Sequence, residues 1–504
     1  LDSEHFQRQV AGGSQSLRQG WEPLRKTGAT ARQMLVNAAA AKWGVEPSTC
    51  TTKEGIISNA KGEQLGYGEV AAEAAILEVP EEVTLKDPKD FTIIGQDTPN
   101  VDIDEIITGV PLFGIDYKRE GMAYASVLRS PVFGKELESF DDTETKAIKG
   151  VINVVQFGNK IAVLADNHWS AMKGTKALKA IWKETSKLES TEDHDRILLE
   201  MLEGNDFKVQ RADGDIKKAF TEADEILDRT YEAPFLPHSC MEPMNFFANV
   251  TADKVELAGP IQTPEGTAWQ VSQVLGREFN TVSIEMTRMG GGFGRRLNGD
   301  FAIEAATISD LTKLPIKLLY SREDDMTAGT YRPASKYRIR AAIKGGVITG
   351  YHQKEAAVNG NQWESIGSYF PAGSIENYQV DIAAYNSNIT TGMWRAPYTH
   401  FLGFAEQSFF DELAQKLDID PVQLRLNLLE KAKANQDERM EYSPERMQEV
   451  IKTAASKANW GKSSNGIFQG FSAYYSHNTH VAEVSYIVME NGKPIVKKVT
   501  CVVD

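Results

Sequence analysis

The sequence predicts a multi-domain α+β protein, and three observations carry that prediction. At 504 residues the chain is too long for one hydrophobic core, so two or three domains are expected. Segments with strand alternation and segments with helical spacing both recur along its length. Hydrophobic residues make up 41% and charged residues 25%, the mixture of an ordinary globular chain rather than a disordered one.

The elements divide into three blocks. In the first, residues 1–108, a Gly12-Gly13-Ser14-Gln15-Ser16 loop leads into a helix with Met34, Leu35, Ala38 and Ala39 as an apolar stripe. Gly44 is the expected C-cap of that helix. The first 80 or so residues read as helix-rich, and Glu69 of Gly66-Tyr67-Gly68-Glu69 reads as a first-turn helix residue, because Val70, Ala71, Ala72 and Ala74 follow it. Pro80, Pro88 and Pro99 then punctuate an extended linker.

The second block, 109–195, opens at Val110-Pro111-Leu112-Phe113-Gly114 and reads as α/β. It holds strands over 122–128 and 161–165 and a helix over 171–183 with Leu178, Ile181 and Trp182 inward. A charged stretch over 183–195 marks its end. The third block, 205–504, mixes strands with helices such as 399–417. There Thr399 is the expected N-cap, and Phe401, Phe404, Ala405, Phe409, Leu413 and Leu417 point inward. Residues 496–504 read as a strand cut short, so a third block truncated at its C-terminal side is expected; the chain starts at Leu1 rather than Met, so its true start is expected to lie upstream.

Composition removes several functions. The net charge of −15 offers no footprint for nucleic acid. No apolar run approaches the ~20 residues of a membrane span. Cys50, Cys240 and Cys501 are too few for an iron–sulfur cluster, which takes about four ligands, and they suggest no disulfide framework.

The most informative segment is Met289-Gly290-Gly291-Gly292-Phe293-Gly294-Arg295-Arg296. A strand over 281–286 precedes it. A helix follows, with Asn298 as N-cap and Phe301, Ala302, Ala305 and Ile308 at helical spacing. A glycine loop between strand and helix lets backbone approach a ligand closely, and amides at a helix start favour an anion. The two arginines could fork onto phosphate or carboxylate. The residues alone admit either a tight turn or such a cradle. A Rossmann fingerprint is excluded, since its third glycine would fall on Arg295, and so is a P-loop, since no Gly-Lys-Ser/Thr follows.

Six segments, in order, resemble the molybdenum hydroxylases, the xanthine dehydrogenase and aldehyde oxidase family. They are Gly121-Met122-Ala123-Tyr124-Ala125 with Arg129-Ser130-Pro131, then Val163-Leu164-Ala165-Asp166-Asn167 with Ala171, and then Pro237-His238-Ser239-Cys240-Met241-Glu242-Pro243. Gln262-Thr263-Pro264, the Gly290 to Gly294 loop and Trp394-Arg395-Ala396-Pro397 complete the series. Gly12-Gly13-Ser14-Gln15-Ser16, with Trp21-Glu22-Pro23-Leu24-Arg25 and Gly28-Ala29-Thr30-Ala31-Arg32, resembles the isoquinoline 1-oxidoreductase beta-subunit group. In that group a piece of a molybdopterin-binding domain precedes the hammerhead domain.

The resemblance implies a large catalytic subunit, with 1–108 as part of a molybdopterin-binding domain, 109–195 as an α/β hammerhead-like domain and 205–504 as a further mixed α/β molybdopterin-binding domain. It implies a molybdenum cofactor, in the cytosine dinucleotide form, held by Gly12, Gly13, Ser14, Ser16, Gln262, Gly291, Gly292, Phe293, Gly294 and Arg395. The pterin dithiolene holds the metal, so no metal-ligating side chain is expected. It implies hydroxylation of an N-heteroaromatic, or oxidation of an aldehyde, with water as the oxygen source. Electrons would pass to a small partner subunit carrying [2Fe-2S] clusters. The family's general base is a Glu in a Gly-x-Gly-Glu segment near the C-terminus. Glu69 lies near the wrong end, so no catalytic residue is assigned in this chain, the base is expected beyond Asp504, and these residues alone are expected to be inactive. Arg295-Arg296-Leu297 and Ala396-Pro397 depart from the xanthine dehydrogenase pattern, which disfavours a purine substrate. A periplasmic or cytoplasmic location is open, the subfamily resemblance favouring the periplasm. A cofactor-free relative serving as a binding or assembly protein is the competing reading.

Overall fold

A tight hairpin near the N-terminus shows how local chemistry sets the architecture. Glu54 and Gly55 both adopt positive φ, 50° and 79°, the conformation of a two-residue hairpin turn. In the computed structural model, which describes residues 9–360, 366–397, 399–435, 437–462, 464 and 466–504, that turn joins β1 (Thr51–Lys53) to β2 (Ile56–Ser58). β3 (Gln64–Gly66) completes a three-stranded meander. The described residues divide into two compact units, residues 11–110 and residues 9–10 with those from 111 onward.

In the smaller unit the main element is α1 (Gln15–Trp43), which ends where Gly44, at φ 66°, turns its amide back to the carbonyls of Ala40 and Ala41. Val36, Ala38, Ala39 and Ala40 bury one face of α1 against Ile57, Val70 and Ala74, the last from α2 (Ala71–Ala75). The described residues up to about 80 thus hold one long helix, α1, with the short α2 and a small sheet, a helix-rich segment as expected. Glu69 accepts the Gly66 amide at 2.6 Å through Oε2, within a single 3₁₀ turn, Tyr67–Glu69. Beyond the meander, Trp21 and Phe91 meet edge to face, with Arg25 over both rings and donating to the Lys86 carbonyl at 2.7 Å. A short α3 (Ile103–Thr108) closes the unit.

The larger unit contains β4 (Ala123–Leu128), β5 (Lys135–Asp141), α4 (Thr143–Lys146), β6 (Val151–Phe157), β7 (Lys160–Ala165), α5 (His168–Ala177) and β8 (Lys179–Glu184). There follow α6 (Thr191–Glu203), β9 (Lys208–Asp213), α7 (Ile216–Thr221), β10 (Glu225–Ala233), β11 (Asn245–Val250), β12 (Val255–Gly259), α8 (Pro264–Leu275) and β13 (Val282–Met286). Next come α9 (Asp300–Thr312), β14 (Ile316–Leu319), α10 (Arg322–Thr327), β15 (Ser335–Lys344), β16 (Val347–Val358) and β17 (Asn377–Tyr385). The unit ends with α11 (Thr399–Lys416), α12 (Pro421–Ala434), α13 (Pro444–Lys457), β18 (Phe468–Ser476), β19 (Thr479–Glu490) and β20 (Lys493–Val503).

A seven-stranded mixed sheet runs β13-β12-β11-β14-β4-β7-β6. β4 lies parallel to β14, with Ala123 opposite Ile316, so strands from before residue 195 and from after 205 share one sheet. The boundary expected there is crossed by backbone pairing. Phe301, Ala302, Ala305 and Ile308 of α9 and Ala268 and Val271 of α8 bury against this sheet. A second sheet, β10-β15-β16-β17-β9, is covered by Phe401, Leu402, Ala405, Phe409, Phe410 and Leu413 of α11. That core continues into α12, α13 and the β18-β19-β20 sheet.

Three local expectations change. The helix expected over 171–183 ends at Ala177, and Leu178 and Trp182 pass into or beside β8. Asn167 caps the helix early by accepting the Ser170 amide. The Ala180-Ile181-Trp182 alternation then pairs with β5, Trp182 opposite Leu137. Phe404 is 58% exposed and meets the edge of Tyr231 rather than entering the core. Asn298 does not cap α9; Gly299, at φ 68°, takes that place, and Asn298 donates to Thr330 Oγ1 at 3.4 Å.

Among the described residues, no helix is long and apolar enough to cross a membrane. No three His, Cys, Asp or Glu side chains gather there as a metal site would require.

Candidate functional site

β13 delivers the chain to the 290–294 loop at the edge of the seven-stranded sheet. Three of its residues lie at positive φ: Gly291 at 101°, Phe293 at 53° and Gly294 at 100°. The glycines are required by close approach. A Cβ on Gly294 would lie 2.1 Å from the Met393 carbonyl oxygen, and one on Gly292 would lie 2.6 Å from Gln262 Oε1. A Cβ on Gly290 would lie 2.5 Å from that of Glu242.

The loop's backbone groups divide into used and free. Gly290 N donates to Glu242 Oε2 at 2.7 Å, and Gly294 N donates to Gln262 Oε1 at 3.1 Å. Between them, the amides of Gly291, Gly292 and Phe293 donate to no acceptor among the described residues. Gly292 is buried, and a buried amide without an acceptor costs about as much as a lost hydrogen bond. Three consecutive amides without acceptors are donors that an anion or a strongly polarised oxygen could satisfy.

Both arginines after the loop are struts. Arg295 is 1% exposed and grips Asp300 with two bonds, Nη1–Oδ1 at 2.6 Å and Nη2–Oδ2 at 2.8 Å. Burial opposes its charge, but Asp300 outweighs that and holds the guanidinium above its ordinary pKa. Arg296 is fully buried and donates to the Gly291 carbonyl at 2.7 Å, the Glu242 carbonyl at 2.8 Å and Glu242 Oε2 at 3.2 Å. Burial depresses its pKa, with Glu242 opposing. Neither is left to fork onto a ligand, contrary to the expectation from sequence. Nor does a helix start at the loop: a 3₁₀ turn, Arg295–Leu297, intervenes, and the first turn of α9 carries Asp300.

A second segment packs on the loop. Arg395 N donates to the Phe293 carbonyl at 2.8 Å, and His238 Nε2 donates to the Met393 carbonyl at 2.7 Å. The Arg395 side chain is exposed and lies 5.8 Å from the centre of the Phe293 ring, which is 44% exposed. Among the described residues that guanidinium makes no ion pair, so an aromatic face and an unpaired cation stand together at the loop. Trp394 stacks on His400 at 4.6 Å and donates to the Pro237 carbonyl at 3.0 Å. Burial pushes His238 and His400 down to about 4, so both rings are neutral near pH 7. Cys240 is buried with its Sγ 3.4 Å from the Gly292 carbonyl, and burial pushes its thiol up to about 11, which makes it an inert packing group.

The structure therefore brings Gln262, Gly291, Gly292, Phe293, Gly294 and Arg395 together in the larger unit. Gly12, Gly13, Ser14 and Ser16 belong to the head of α1 in the smaller unit. There Gly13 and Ser14 take φ of 65° and 55°, Ser14 makes no capping bond, and Gly13, Ser14 and Ser16 are exposed. Sequence reasoning missed the Glu242–Arg296 pair that anchors the loop, and the buried Lys317 of β14. The available signal for Lys317 was a lone lysine in the otherwise apolar run Ile316-Lys317-Leu318-Leu319.

Fold and site together define a multi-domain α+β protein with a glycine loop whose central backbone amides are unbonded among the described residues. Residues 200–429 match the molybdopterin cofactor-binding domain family. The chain is 28% identical, over 90% of its length, to the membrane-bound aldehyde dehydrogenase (pyrroloquinoline-quinone) of Gluconacetobacter polyoxogenes. It is 25% identical, over 96% of its length, to the isoquinoline 1-oxidoreductase subunit beta of Brevundimonas diminuta. It spans 64% and 69% of those two relatives. The crystal structure of quinoline 2-oxidoreductase from Pseudomonas putida superimposes with a TM-score of 0.60 at 15% identity, over 76% of this chain and 56% of that one, a likeness of fold. Residues 200–429 are thus similar to a molybdopterin cofactor-binding domain, and the chain over most of its length is similar to these oxidoreductase subunits.

Proposed function

We propose that this chain forms the cofactor-binding part of the catalytic subunit of a molybdenum hydroxylase. Its substrate would be an N-heteroaromatic compound or an aldehyde, with water as the oxygen source. The observation that carries the reading is the row of free amides at Gly291, Gly292 and Phe293, one of them buried, in a loop whose other amides are taken. When bound, the molybdenum cofactor supplies the redox metal that oxidises the substrate carbon.

The chain's own residues bind and orient. The three amides and Gln262 would hold oxygen atoms of the cofactor without desolvating a side-chain charge. Gly294 takes no part by side chain; it lets the backbone pass against Met393. Phe293 offers an exposed ring against which a planar substrate can lie, and Arg395 beside it would orient a polar substituent by a charge-assisted hydrogen bond. Gly12, Gly13, Ser14 and Ser16 would bind a phosphate of the cofactor's nucleotide tail, in the cytosine dinucleotide form, at the head of α1. Three scattered cysteines cannot ligate an iron–sulfur cluster, so the electrons would leave through a small [2Fe-2S] partner subunit. The subfamily likeness favours a periplasmic location.

The test is chemical analysis of the full-length protein purified from its source with any associated subunits. The proposal expects molybdenum and pterin in near-stoichiometric amounts, cytidine monophosphate on hydrolysis and iron in a separate small chain. A protein free of molybdenum and pterin, yet folded and bound to another protein, would instead establish a cofactor-free relative acting as a binding or assembly protein.

A further inference from the structure

β14 carries a charge where an apolar strand would carry none. Ile316, Lys317 and Leu318 are all buried. A buried ammonium needs partners, and Lys317 Nζ donates to the Gly114 carbonyl and, at 2.9 Å, to Asn245 Oδ1. Asn245 is fully buried at the start of β11 and passes the interaction on, its Nδ2 donating to Glu242 Oε1 at 2.9 Å. That oxygen also accepts from Ile115 N at 2.8 Å. The other carboxylate oxygen accepts from Gly290 N at 2.7 Å and from Arg296 Nη2 at 3.2 Å.

The direction of this ladder is set at its foot. An ammonium has only donors, so it forces the oxygen of the Asn245 amide toward itself and the NH₂ toward Glu242. A donor at Glu242 Oε1 then fixes the rotation of the carboxylate, and Oε2 meets the first amide of the loop.

We propose that Lys317 is the remote positioning residue of the 290–294 loop. Through Asn245 and Glu242 it sets the orientation in which the free amides of Gly291, Gly292 and Phe293 are presented. Its consequence for cofactor retention rests on the function proposed above; the ladder itself is a property of this chain. The charged and titratable groups about Lys317 are Glu242, Arg296, Asp116, the ring of Tyr117 at 5.9 Å and, more weakly, His168. Burial, opposed by Glu242, brings Lys317 down to about 7, so its proton is exchangeable near neutrality.

The experiment is hydrogen exchange by mass spectrometry on the full chain without added cofactor, comparing Lys317→Met with the parent. The loop peptide over 288–296 is expected to exchange at least tenfold faster while peptides in β15, β16 and β17 keep their rates. After correction for intrinsic chemistry, the parent's loop should also open as pH rises through about 7, and Lys317→Met should lack that dependence. Asn245→Asp is a second variant, which leaves the lysine a partner and removes the donor to Glu242; it too should speed the loop. Loop exchange equal to the parent's in either variant would overturn the proposal. So would equal acceleration throughout β4, β11 and β14, the mark of a merely structural lysine. Should Lys317→Met not fold, Asn245→Asp decides alone. Molybdenum content of the same variants is read separately: faster loop exchange with no change in bound molybdenum would leave the positioning role standing and remove the cofactor role of the loop.

Discussion

The two glycine loops share a composition and differ in what surrounds them. The 290–294 loop rests on the buried Glu242–Arg296 pair, on Gln262 and on the Met393 backbone, and its free amides are flanked by amides bonded to Glu242 and Gln262. The head of α1, Gly12 to Ser16, is open. A Cβ on Gly13 would first meet the side chain of Gln15, no closer than 3.4 Å, and no side chain caps the helix. The difference teaches that glycine content marks where backbone can bend, while buried partners decide whether the bend is held before a ligand arrives. A rigid cradle gains affinity by preorganisation; an open turn must be ordered on binding.

The sharpest way to break this comparison is to remove the anchor. Arg296→Met leaves the Glu242 carboxylate buried without its cation, which should cost about 4 kcal/mol of stability in denaturant unfolding. Among the described residues no ion pair is seen at Gly12 to Ser16, so a loss below about 1 kcal/mol would mean that the two loops are alike.

Glycine replacement is the next largest effect. Gly294→Ala places a Cβ on the Met393 carbonyl and also strains φ, for about 3 kcal/mol in all, whereas Gly13→Ala should cost about 1 kcal/mol from φ alone. Equal losses in the two variants would remove the distinction.

Acid should loosen one loop and spare the other. His238 holds the Met393 carbonyl against which Gly294 packs, and its folded pKa of about 4 lies below the ordinary 6.5. A depressed value contributes stability above the unfolded pKa, lost as pH falls from about 6.5 to about 4, by roughly 1.4 kcal/mol per unit. His238→Gln should lessen the slope of the stability–pH curve in that window, His400 keeping its own share; a curve identical to the parent's would show that this ring does not titrate between the two states. The smallest effect is Ser14→Ala. The hydroxyl caps nothing, so a change under about 0.5 kcal/mol is expected, against about 1 kcal/mol for a working N-cap.

Part of this contrast was legible in the sequence. The β13 strand, the inward residues of α9, the Gly44 cap and most of the α11 face follow from periodicity and capping chemistry, which act within one or two turns. Leu178 to Trp182 did not, because a short apolar run fits helix and strand alike until its partner, here β5, is known. The β4–β14 pairing joins segments some 190 residues apart, so no local signal carries it. For the site, residue types were readable and their partners were not. Arg295 and Arg296 looked like anion ligands because a free guanidinium is one; Asp300 and Glu242 occupy them, and nothing in the spacing shows that.

The central claim is that the amides of Gly291, Gly292 and Phe293 meet the cofactor. Hydrogen exchange of the 288–296 peptide, measured in the molybdenum-loaded full-length protein and again after the cofactor has been removed, tests it directly. The account predicts slow exchange of those three amides in the loaded protein and fast exchange in the stripped one, with the Gly290 and Gly294 amides protected in both. Equal exchange of the three amides in both forms would contradict it.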